Sequence, residues 1–253
     1  MPSLLTIFTT PKPFTNQHIA AIQRNALGCW TRLGKDVQVL AIGDEEGLAE
    51  VAAELGVTHI PEVRRNAQGT PLVSDIFAQA RSHSDTPFLA YANADMLLLS
   101  DFVTVTRLLG QSAPRFLAVG QRWDLDMVLS DGTTQQLPFE AGWEEALEAA
   151  VQQRGRIHPP GGSDYFIFPR DCFTEMPDFA IGRAGWDNWM FFYARQQGWA
   201  VVDATPALKV IHQDHDYSHL PGGQPHYRLP ETTENVRLAG GRRTIFTLQD
   251  ADV

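Results

Sequence analysis

The stretch that decides the fold is residues 88–100, which read FLAYANADMLLLS. Its first five residues are apolar and follow a proline, which is typical of a buried strand in a parallel sheet. A carboxylate between two apolar runs is costly to bury without a partner, so we expect the strand to end there and to present Asp95 to a cleft. Asn93 lies two residues earlier and points the same way in extended backbone, which suits one side chain on a ribose and the other on a divalent cation. The alternative is an Asx turn that caps a helix over residues 101–109.

Short apolar runs and helical patterns alternate on the N-terminal side of this stretch. The predicted elements are a strand at 4–9, a helix at 16–33, a strand at 37–42, a helix at 45–55, a strand at 57–61 and a helix at 72–82. This order, with short connections, is typical of a parallel sheet covered by helices. We therefore predict an α/β fold with a central, mostly parallel but mixed sheet flanked by helices, and a Rossmann-like N-terminal half.

The pattern on the C-terminal side is less regular. The predicted elements are a strand at 115–122, a hairpin around Ser130-Asp131-Gly132, a helix at 142–154, a loop at 156–163, a strand at 165–169, a helix at 187–197 and strands at 201–203 and 208–211. Residues 213–238 are rich in His, Tyr, Gly and Pro and are predicted to form a flexible lid or tail. We expect one domain over residues 1–253, with a nucleotide-binding half to about residue 100 and an acceptor-binding half after it.

The composition limits the class of partner. The chain has 253 residues, with 20 Lys and Arg against 30 Asp and Glu, and its formal net charge is −10 at pH 7. This charge does not favour a nucleic acid or an anionic membrane as partner. The two cysteines, Cys29 and Cys172, are too few for a disulfide framework or a zinc knuckle. We find no signal-peptide pattern and no apolar run of the ~18 residues that a membrane helix needs, so we expect no transmembrane segment and a cytoplasmic protein.

Polar residues follow three of the predicted strands, as Thr9-Thr10-Pro11, Gly43-Asp44 and Asn93-Ala94-Asp95. Because the carboxyl ends of parallel strands meet at one edge of a sheet, we expect these groups to lie along one site. Asp44 could accept hydrogen bonds from a uracil, a guanine or a ribose. Its alternative function is to cap the helix that follows.

A histidine-rich run, VIHQDHDYSH, occupies residues 210–219. His212 directly follows an apolar strand, where a neutral imidazole could join Asp95 on a metal. His212 with His215, or His215 with His219, would suit zinc if the segment were helical, but the Leu-Pro-Gly-Gly that follows argues against a helix. A mixed carboxylate and imidazole site with phosphate oxygens suits Mn²⁺ or Mg²⁺ better. The alternative is a solvated histidine-rich loop.

Two further carboxylates are candidates for catalysis. Asp187 lies at the start of an apolar helix, where it could act as a general base, with Trp186 as a platform on which a sugar stacks. The alternative for Asp187 is an N-cap, which also fixes the direction of a carboxylate. Asp164 follows Gly161-Gly162-Ser163 and is a second candidate acid, base or ligand of an acceptor hydroxyl, although a turn residue needs no such function.

With these residues, the chain resembles the GT-A class of nucleotide-sugar glycosyltransferases, and most of all the small glycosyltransferase-like proteins of plants and cyanobacteria. The resemblance rests on motifs that keep their order over most of the chain. They are Thr9-Thr10-Pro11, RRNAQGTPL at 64–72, YANAD at 91–95, GQRWD at 120–124, GSDYFIFPR at 162–170, GRAGWDNW at 182–189 and VIHQDHDYSH at 210–219.

The resemblance implies a DxD-type motif that binds the metal on the donor diphosphate. The motif here is Asn93-Ala94-Asp95, in which asparagine replaces the first carboxylate. This departure is expected to weaken but not abolish metal binding, because Asp95 keeps the position of the usual direct ligand. His212 matches the C-terminal histidine that completes the metal shell, and Asp187 falls where inverting members place the catalytic base. The predicted residues that bind the nucleotide sugar are Thr9, Thr10, Pro11, Asp44, Asn66, Asn93, Arg122 and Trp186.

The predicted function is a glycosyltransferase that uses Mn²⁺ or Mg²⁺ and moves a sugar from a UDP- or GDP-sugar to a hydroxyl of a small molecule or glycan. A retaining enzyme would not need the base. One alternative is a sugar-phosphate nucleotidyltransferase, but that class needs a glycine-rich phosphate loop after the first strand, and TTPKPF at 9–14 has no glycine. The other is a carbohydrate- or nucleotide-binding module with a decayed active site, which the asparagine at position 93 leaves open.

Overall fold

The computed structural model describes residues 3–215 and 229–253. Within them the strands are β1 (Leu5–Thr9), β2 (Val37–Ile42), β3 (Thr58–Ile60), β4 (Phe88–Ala92), β5 (Met96–Leu97), β6 (Phe116–Val119), β7 (Arg122–Leu125), β8 (Arg156–Ile157), β9 (Tyr165–Pro169), β10 (Ala200–Asp203) and β11 (Val210–Gln213). The helices are α1 (Gln17–Trp30), α2 (Leu48–Leu55), α3 (Val73–Ser82), α4 (Asp101–Ser112), α5 (Trp143–Arg154), α6 (Trp186–Gln196) and α7 (Pro230–Leu238), followed by short 3-10 helices at Arg242–Thr244 and Leu248–Asp250. No helix in these two ranges is both long enough and apolar enough to cross a lipid bilayer.

The main sheet has seven strands in the order β10-β6-β9-β4-β1-β2-β3. The four strands from β4 to β3 run parallel, as do β10 and β6, whereas β9 is antiparallel to both of its neighbours. In the register of the central strands, Ile7 lies between Val39 and Ala90. The predicted α/β fold with a mostly parallel, mixed sheet flanked by helices is confirmed, and β1, β2 and β4 end at one edge.

Two apolar cores cover the two faces of this sheet. Because successive side chains of a strand point to opposite faces, Ile7 joins the core beneath α1, α2, α4 and α5, whereas Phe8 joins the core beneath α3 and α6. In the second core the ring of Phe77 stacks on Phe168 at 5.4 Å between centroids and meets Phe8 edge-on at 5.0 Å. Full burial of one such side chain contributes ~1.5–3 kcal/mol, so the strands form a well-supported base for the residues at their ends.

A smaller sheet of four strands, in the order β5-β11-β7-β8, begins where β4 ends. β11 runs antiparallel to β5 and parallel to β7, and this register places His212 between Met96 and Asp124. The sequence prediction missed both β5 and β8, and it placed the residues of β8 in a loop at 156–163. Each of these strands has only two residues. Such short strands leave no periodic pattern in a sequence.

Residues 115–122, predicted as one strand, form two strands that belong to different sheets. β6 lies in the main sheet and β7 in the smaller one. The extended segment is interrupted at Gly120, between β6 and β7. A Cβ atom at this position would lie 2.5 Å from the hydroxyl of Tyr165 and 2.8 Å from the backbone N of Thr205. This close approach by distant segments requires glycine there, and no local pattern indicates it.

Three other elements differ in detail from the prediction. α2 begins three residues late because Gly47 takes φ 81°, so Asp44 does not cap it. The predicted hairpin is present as an antiparallel bridge between Val128 and Thr134. The predicted lid contains α7, whose first residue, Pro230, is at a position where proline is well tolerated. The part of that lid at residues 216–228 lies outside the described residues.

Candidate active site

A cavity of about 810 Å³ lies at the carboxyl ends of β1 and β4. Open α/β sheets bind their ligands at this position. The loop after β1, the turn after β4, β7, the loop before β9, the start of α6 and the end of β11 contribute to its wall. The predicted site residues that line it are Thr10, Pro11, Asn93, Asp95, Arg122, Asp164, Trp186, Asp187 and His212.

Three predicted binding residues do not line this cavity. Thr9 is fully buried in β1. The carboxylate of Asp44 is largely exposed and accepts a hydrogen bond from Arg65, which does line the cavity. Asn66 stabilises its own loop, because its Oδ1 accepts hydrogen bonds from the backbone N–H groups two and four residues later. The structure therefore separates these three side chains from the other predicted binding residues.

Asp95 and His212, which are far apart in the sequence, lie together in the wall of this cavity. Nε2 of His212 is 4.0 Å from Oδ2 of Asp95, and Nε2 of His215 is 3.0 Å from the same oxygen. One ligand atom from each of the three side chains lies within 4.8 Å of the other two. Residues 210–213 form a strand, so His212 and His215 do not form the helical zinc site considered from the sequence. The other pair considered, His215 with His219, depends on His219, which lies outside the described residues. His215 nevertheless joins the pair.

Gln213 fixes the relative position of these side chains. Its backbone N–H and its side-chain Nε2 both donate to the carbonyl oxygen of Asp95, each at 3.2 Å. The same Nε2 donates to the carbonyl of Ile22 at 2.9 Å, and Oε1 accepts from Asn25 at 2.9 Å. Gln213 is fully buried, so these bonds satisfy an amide that has no access to water. They tie β11 and α1 to the turn that carries Asp95.

The electrostatics of this cluster favour a cation. Burial by itself raises the pKa of the Asp95 carboxyl group, but the hydrogen bond from His215 and the charge of His212 hold it below its usual range. Burial also lowers the pKa of His212, and the surrounding carboxylates, first of all Asp124, raise it to about 9. Oδ1 of Asp95 is buried and has no hydrogen-bond partner among the described residues. A divalent cation that displaced the proton of His212 would meet an ionised carboxylate with an unused oxygen beside two imidazoles, and this set of ligands fits Mn²⁺ or Mg²⁺.

A chain of hydrogen bonds runs along the cavity wall. The hydroxyl of Tyr91 donates to Oδ1 of Asn93 at 2.9 Å, and Nδ2 of Asn93 donates to Oδ1 of Asp164 at 2.8 Å. Arg122 donates to the other oxygen of Asp164 and, through Nε, to Oδ1 of Asp124 at 2.9 Å. Asn93 therefore uses its amide group as a donor to a carboxylate, which the aspartate of a DxD motif could not do while ionised.

Asp124 was not among the residues predicted from the sequence. Its Oδ1 lies 3.2 Å from Nδ1 of His212, and its Oδ2 lies 2.8 Å from Nδ1 of His158. A carboxylate behind a metal-binding imidazole orients the ring and raises its basicity. In the sequence, Asp124 is the last residue of the motif GQRWD. Nothing in that motif places it beside His212, because the two residues meet only through the pairing of β7 with β11.

We expect Asn93→Asp to destabilise the protein by about 1–3 kcal/mol at pH 7, because it sets a second carboxylate against Asp164 and removes a donor. The loss should shrink as the pH falls and one of the two carboxyl groups is protonated. Urea unfolding at pH 7 and pH 5 measures both effects. Asn16→Asp is the matched control, because Asn16 caps α1 through its Oδ1, which aspartate retains. Unchanged stability with tighter Mn²⁺ binding in Asn93→Asp would instead make position 93 a metal-ligand position.

Asp187 also lines the cavity, near the start of α6. The helix begins at Trp186 with Gly185 as its N-cap, so Asp187 is not the cap that the sequence allowed. Its Oδ1 accepts a hydrogen bond from the N–H of Gly185 at 3.1 Å. Burial first, and then the charge of Asp164, raise the pKa of Asp187 to about 6, against the opposing backbone hydrogen bonds. A carboxylate with such a pKa suits proton transfer near neutral pH.

Trp186 belongs mainly to the apolar core. Only 5% of it is exposed, and its ring lies edge-on to Tyr91 at 5.1 Å between centroids. A sugar that stacks on Trp186, as predicted from the sequence, would therefore meet only the small part of the ring at the cavity wall.

Comparison with solved structures supports this architecture, although no protein-family model and no curated protein sequence matches the chain. Among solved structures, the glucosyl-3-phosphoglycerate synthase of Mycobacterium tuberculosis in complex with Mg²⁺ and UDP superposes with a TM-score of 0.54 at 14% identity, over 95% of this chain and 80% of that chain. Another structure of the same enzyme gives a TM-score of 0.53 at 13% identity, over 95% of this chain and 81% of that one.

A third structure of that enzyme contains Mn²⁺, UDP and glucosyl-3-phosphoglycerate, and it gives a TM-score of 0.50 at 13% identity over the same shares of the two chains. At these identities the likeness concerns the fold. The superposition extends over nearly the whole chain. The chain therefore has the GT-A-like fold of nucleotide-sugar glycosyltransferases.

Proposed function

We propose that the chain is a metal-dependent glycosyltransferase, which moves a sugar from a nucleoside-diphosphate sugar to a hydroxyl group of a small molecule or glycan. The observation that carries the proposal is the cluster of Asp95, His212 and His215 at the carboxyl end of β4 in a GT-A-like fold. A cavity of about 810 Å³ is large enough for a nucleotide sugar at this cluster. The complexes of the structurally similar synthase with UDP and Mg²⁺ or Mn²⁺ support the same class of donor and metal.

On the donor side, Asp95, His212 and His215 would hold Mn²⁺ or Mg²⁺ with one carboxylate oxygen and two imidazole nitrogens. The metal, when bound, offsets the negative charge that develops on the leaving diphosphate. Thr10 and Pro11 line the cavity beside the end of β1 and are proposed contacts for the nucleoside-diphosphate part of the donor. Asp164 is held by Asn93 and Arg122, so it is suited to a fixed hydrogen bond with a hydroxyl of the donor sugar or acceptor.

On the acceptor side, Asp187 would remove the proton from the acceptor hydroxyl as its oxygen attacks C1 of the sugar. The sugar–phosphate bond then breaks and its electron pair leaves with the nucleoside diphosphate. The pKa of Asp187, raised to about 6, suits this step, whereas the carboxylate of Asp164 is already paired with a guanidinium. This assignment belongs to an inverting reaction.

The remaining expectations extend this proposal. The net charge of −10 favours a metal-bound nucleotide sugar and a hydroxyl acceptor as partners over a nucleic acid. The two cysteines are buried free thiols, and we assign the reaction to the cytoplasm on that basis. Residues up to about 100 would bind the nucleotide, and the later part of the chain would bind the acceptor.

Binding and turnover of a donor panel test the proposal. We expect UDP or GDP to bind in the presence of Mn²⁺ and to bind more weakly in EDTA, as measured by calorimetry. The matching nucleotide sugar at a hundred times its dissociation constant should stabilise the protein by about 2.7 kcal/mol in thermal unfolding. Release of the nucleoside diphosphate should then follow when an acceptor, or water, is present.

Each outcome of this panel separates the candidate functions. Tight binding of a nucleotide sugar without any release of diphosphate would identify a binding module with a decayed site. Formation of a nucleotide sugar from a nucleoside triphosphate and a sugar phosphate would identify a nucleotidyltransferase. The absence of any binding by UDP, GDP and their sugars would reject the proposal.

A further inference from the structure

The loop after β1 carries a lysine, Lys12, to which the proposed reaction assigns no role. Lys12 lines the cavity, and its positive charge contributes to lowering the pKa of Asp95. Within residues 3–215 and 229–253, its ammonium group makes no hydrogen bond and no ion pair. Arg65, Arg122 and Arg183, which also line the cavity, each donate to at least one carboxylate of the chain.

The backbone holds Lys12 in place. Its N–H donates to Oε1 of the buried Gln23 at 2.6 Å, and its carbonyl accepts from Nε2 of the same side chain at 2.9 Å. Pro11 precedes it and Pro13 follows it, so the backbone on both sides is restricted. A long flexible side chain on a fixed backbone can reach a ligand in the cavity while its base stays in one position.

A second group on this loop is also without a partner. Oγ1 of Thr10 is buried and has no hydrogen-bond partner among the described residues, and Thr10 lines the same cavity. A hydroxyl donor and an ammonium group two residues apart form a pair of donors suited to phosphate oxygens.

The charge balance of the site indicates which phosphate is bound. A nucleoside diphosphate carries more negative charge than one divalent cation neutralises, and Asp95 neutralises part of that cation. An additional positive charge would stabilise the leaving diphosphate, and among the described residues Lys12 is a cation near Asp95 that forms no ion pair with a carboxylate. Burial lowers the pKa of Lys12 because it disfavours the charged form, and a bound anion would stabilise that charge.

We propose that Lys12, together with Thr10, binds the diphosphate of the donor and acts with the metal to stabilise the leaving nucleoside diphosphate. This inference rests on the proposed function, because it assumes that a diphosphate lies at Asp95. Lys12 is then a catalytic residue that contacts the leaving group, and its contribution adds to that of the metal.

The test compares Lys12→Gln with Lys12→Arg, and Lys35→Gln is a control that removes the same charge from an exposed position. Calorimetry with Mn²⁺ present gives the affinities for inorganic pyrophosphate, for UDP and GDP, and for uridine and guanosine. We expect Lys12→Gln to bind pyrophosphate and the diphosphate about 10- to 100-fold more weakly and to bind the nucleoside as the wild type does. Lys12→Arg should keep most of the affinity, and Mn²⁺ alone should bind Lys12→Gln at least as tightly as the wild type.

The results that would overturn this inference are distinct from those that would reject the proposed function. If Lys12→Gln binds pyrophosphate like the wild type, or loses nucleoside and diphosphate affinity equally, Lys12 does not bind the diphosphate. In that case the wild type can still transfer sugar. If the wild type binds pyrophosphate through Lys12 but turns over no nucleotide sugar, the proposed reaction fails and the assignment of Lys12 stands.

Discussion

Asp95→Asn is expected to reduce sugar transfer by about 10²- to 10³-fold, because it removes the carboxylate of the proposed metal cluster of Asp95, His212 and His215. The substitution keeps the size of the side chain, and the hydrogen bonds from Gln213 go to the backbone carbonyl, which does not change. The protein should therefore remain folded. Calorimetry with Mn²⁺ should report a loss of metal affinity, and circular dichroism should report an unchanged fold.

Metal removal provides an independent arm of the same experiment. Wild-type protein in EDTA should lose activity to a similar extent and regain it when Mn²⁺ is added in excess, whereas Asp95→Asn should not respond to Mn²⁺. Asp131→Asn is the matched control, since Asp131 lies on the exposed hairpin turn and its Oδ1 accepts bonds that asparagine can also accept. Equal activity of Asp95→Asn and wild type, or full activity in EDTA, would reject the metal-dependent mechanism.

The strand that carries Asp95 was predictable because its signal is local. A short apolar run after a proline, followed by a carboxylate, indicates a buried strand that ends at a polar site, and β4 has the predicted bounds, Phe88–Ala92. The same local logic identified the strands and helices of the N-terminal half, whose ends scatter by a few residues. It did not identify β5 and β8, which pair over two residues only.

The composition of the site depended on pairings that no local pattern contains. The apolar strand before His212 and the resemblance to a family both indicated this residue, but its contact with Asp124 depends on the register in which β7 pairs with β11. Gln213 is an uncharged residue in a strand, and its contacts to α1 and to the turn at Asp95 follow from tertiary packing. Asn66, predicted from the same resemblance, proved to hold its own loop.

Asparagine at position 93 shows why a motif is read best with its surroundings. From the sequence, replacement of the first carboxylate of a DxD motif suggested a weakened metal site. In the structure, the Asn93 amide donates to Asp164, and Asp164 also pairs with Arg122. Position 93 thus connects the turn that carries Asp95 to the loop before β9, and two imidazoles lie beside the carboxylate of Asp95.

Asp187→Asn is expected to lower kcat by about 10²- to 10⁴-fold, because the variant cannot accept the proton of the acceptor hydroxyl. The wild-type rate should rise with pH through about 6, the pKa to which burial and the charge of Asp164 raise Asp187. The residual activity of the variant should lack this acidic limb. Steady-state kinetics between pH 5 and pH 8 at saturating donor and Mn²⁺ provide both readouts. The affinity for the nucleoside diphosphate should not change.

Stability should move in the opposite direction to activity. A carboxyl group whose pKa is raised in the folded state contributes stability below its ordinary pKa of 3.8, and this contribution is lost as the pH rises through about 6. The asparagine variant does not ionise, and it retains an oxygen that can accept the hydrogen bond from Gly185. Its free energy of unfolding should therefore exceed that of the wild type above pH 6, by at most about 3 kcal/mol, with no such gain near pH 4.

The combination of these two readouts distinguishes a catalytic base from a buried structural carboxylate. A slower variant that is more stable above pH 6 indicates a carboxylate kept at a cost to stability for proton transfer. A variant that is less stable at every pH and loses activity in proportion indicates that Asp187 only supports the start of α6. Asp164→Asn serves as the comparison, because Asp164 is paired with Arg122 and its removal should weaken sugar binding without removing the acidic limb. A retained acidic limb in Asp187→Asn would assign the proton transfer to another group and remove the argument for an inverting reaction.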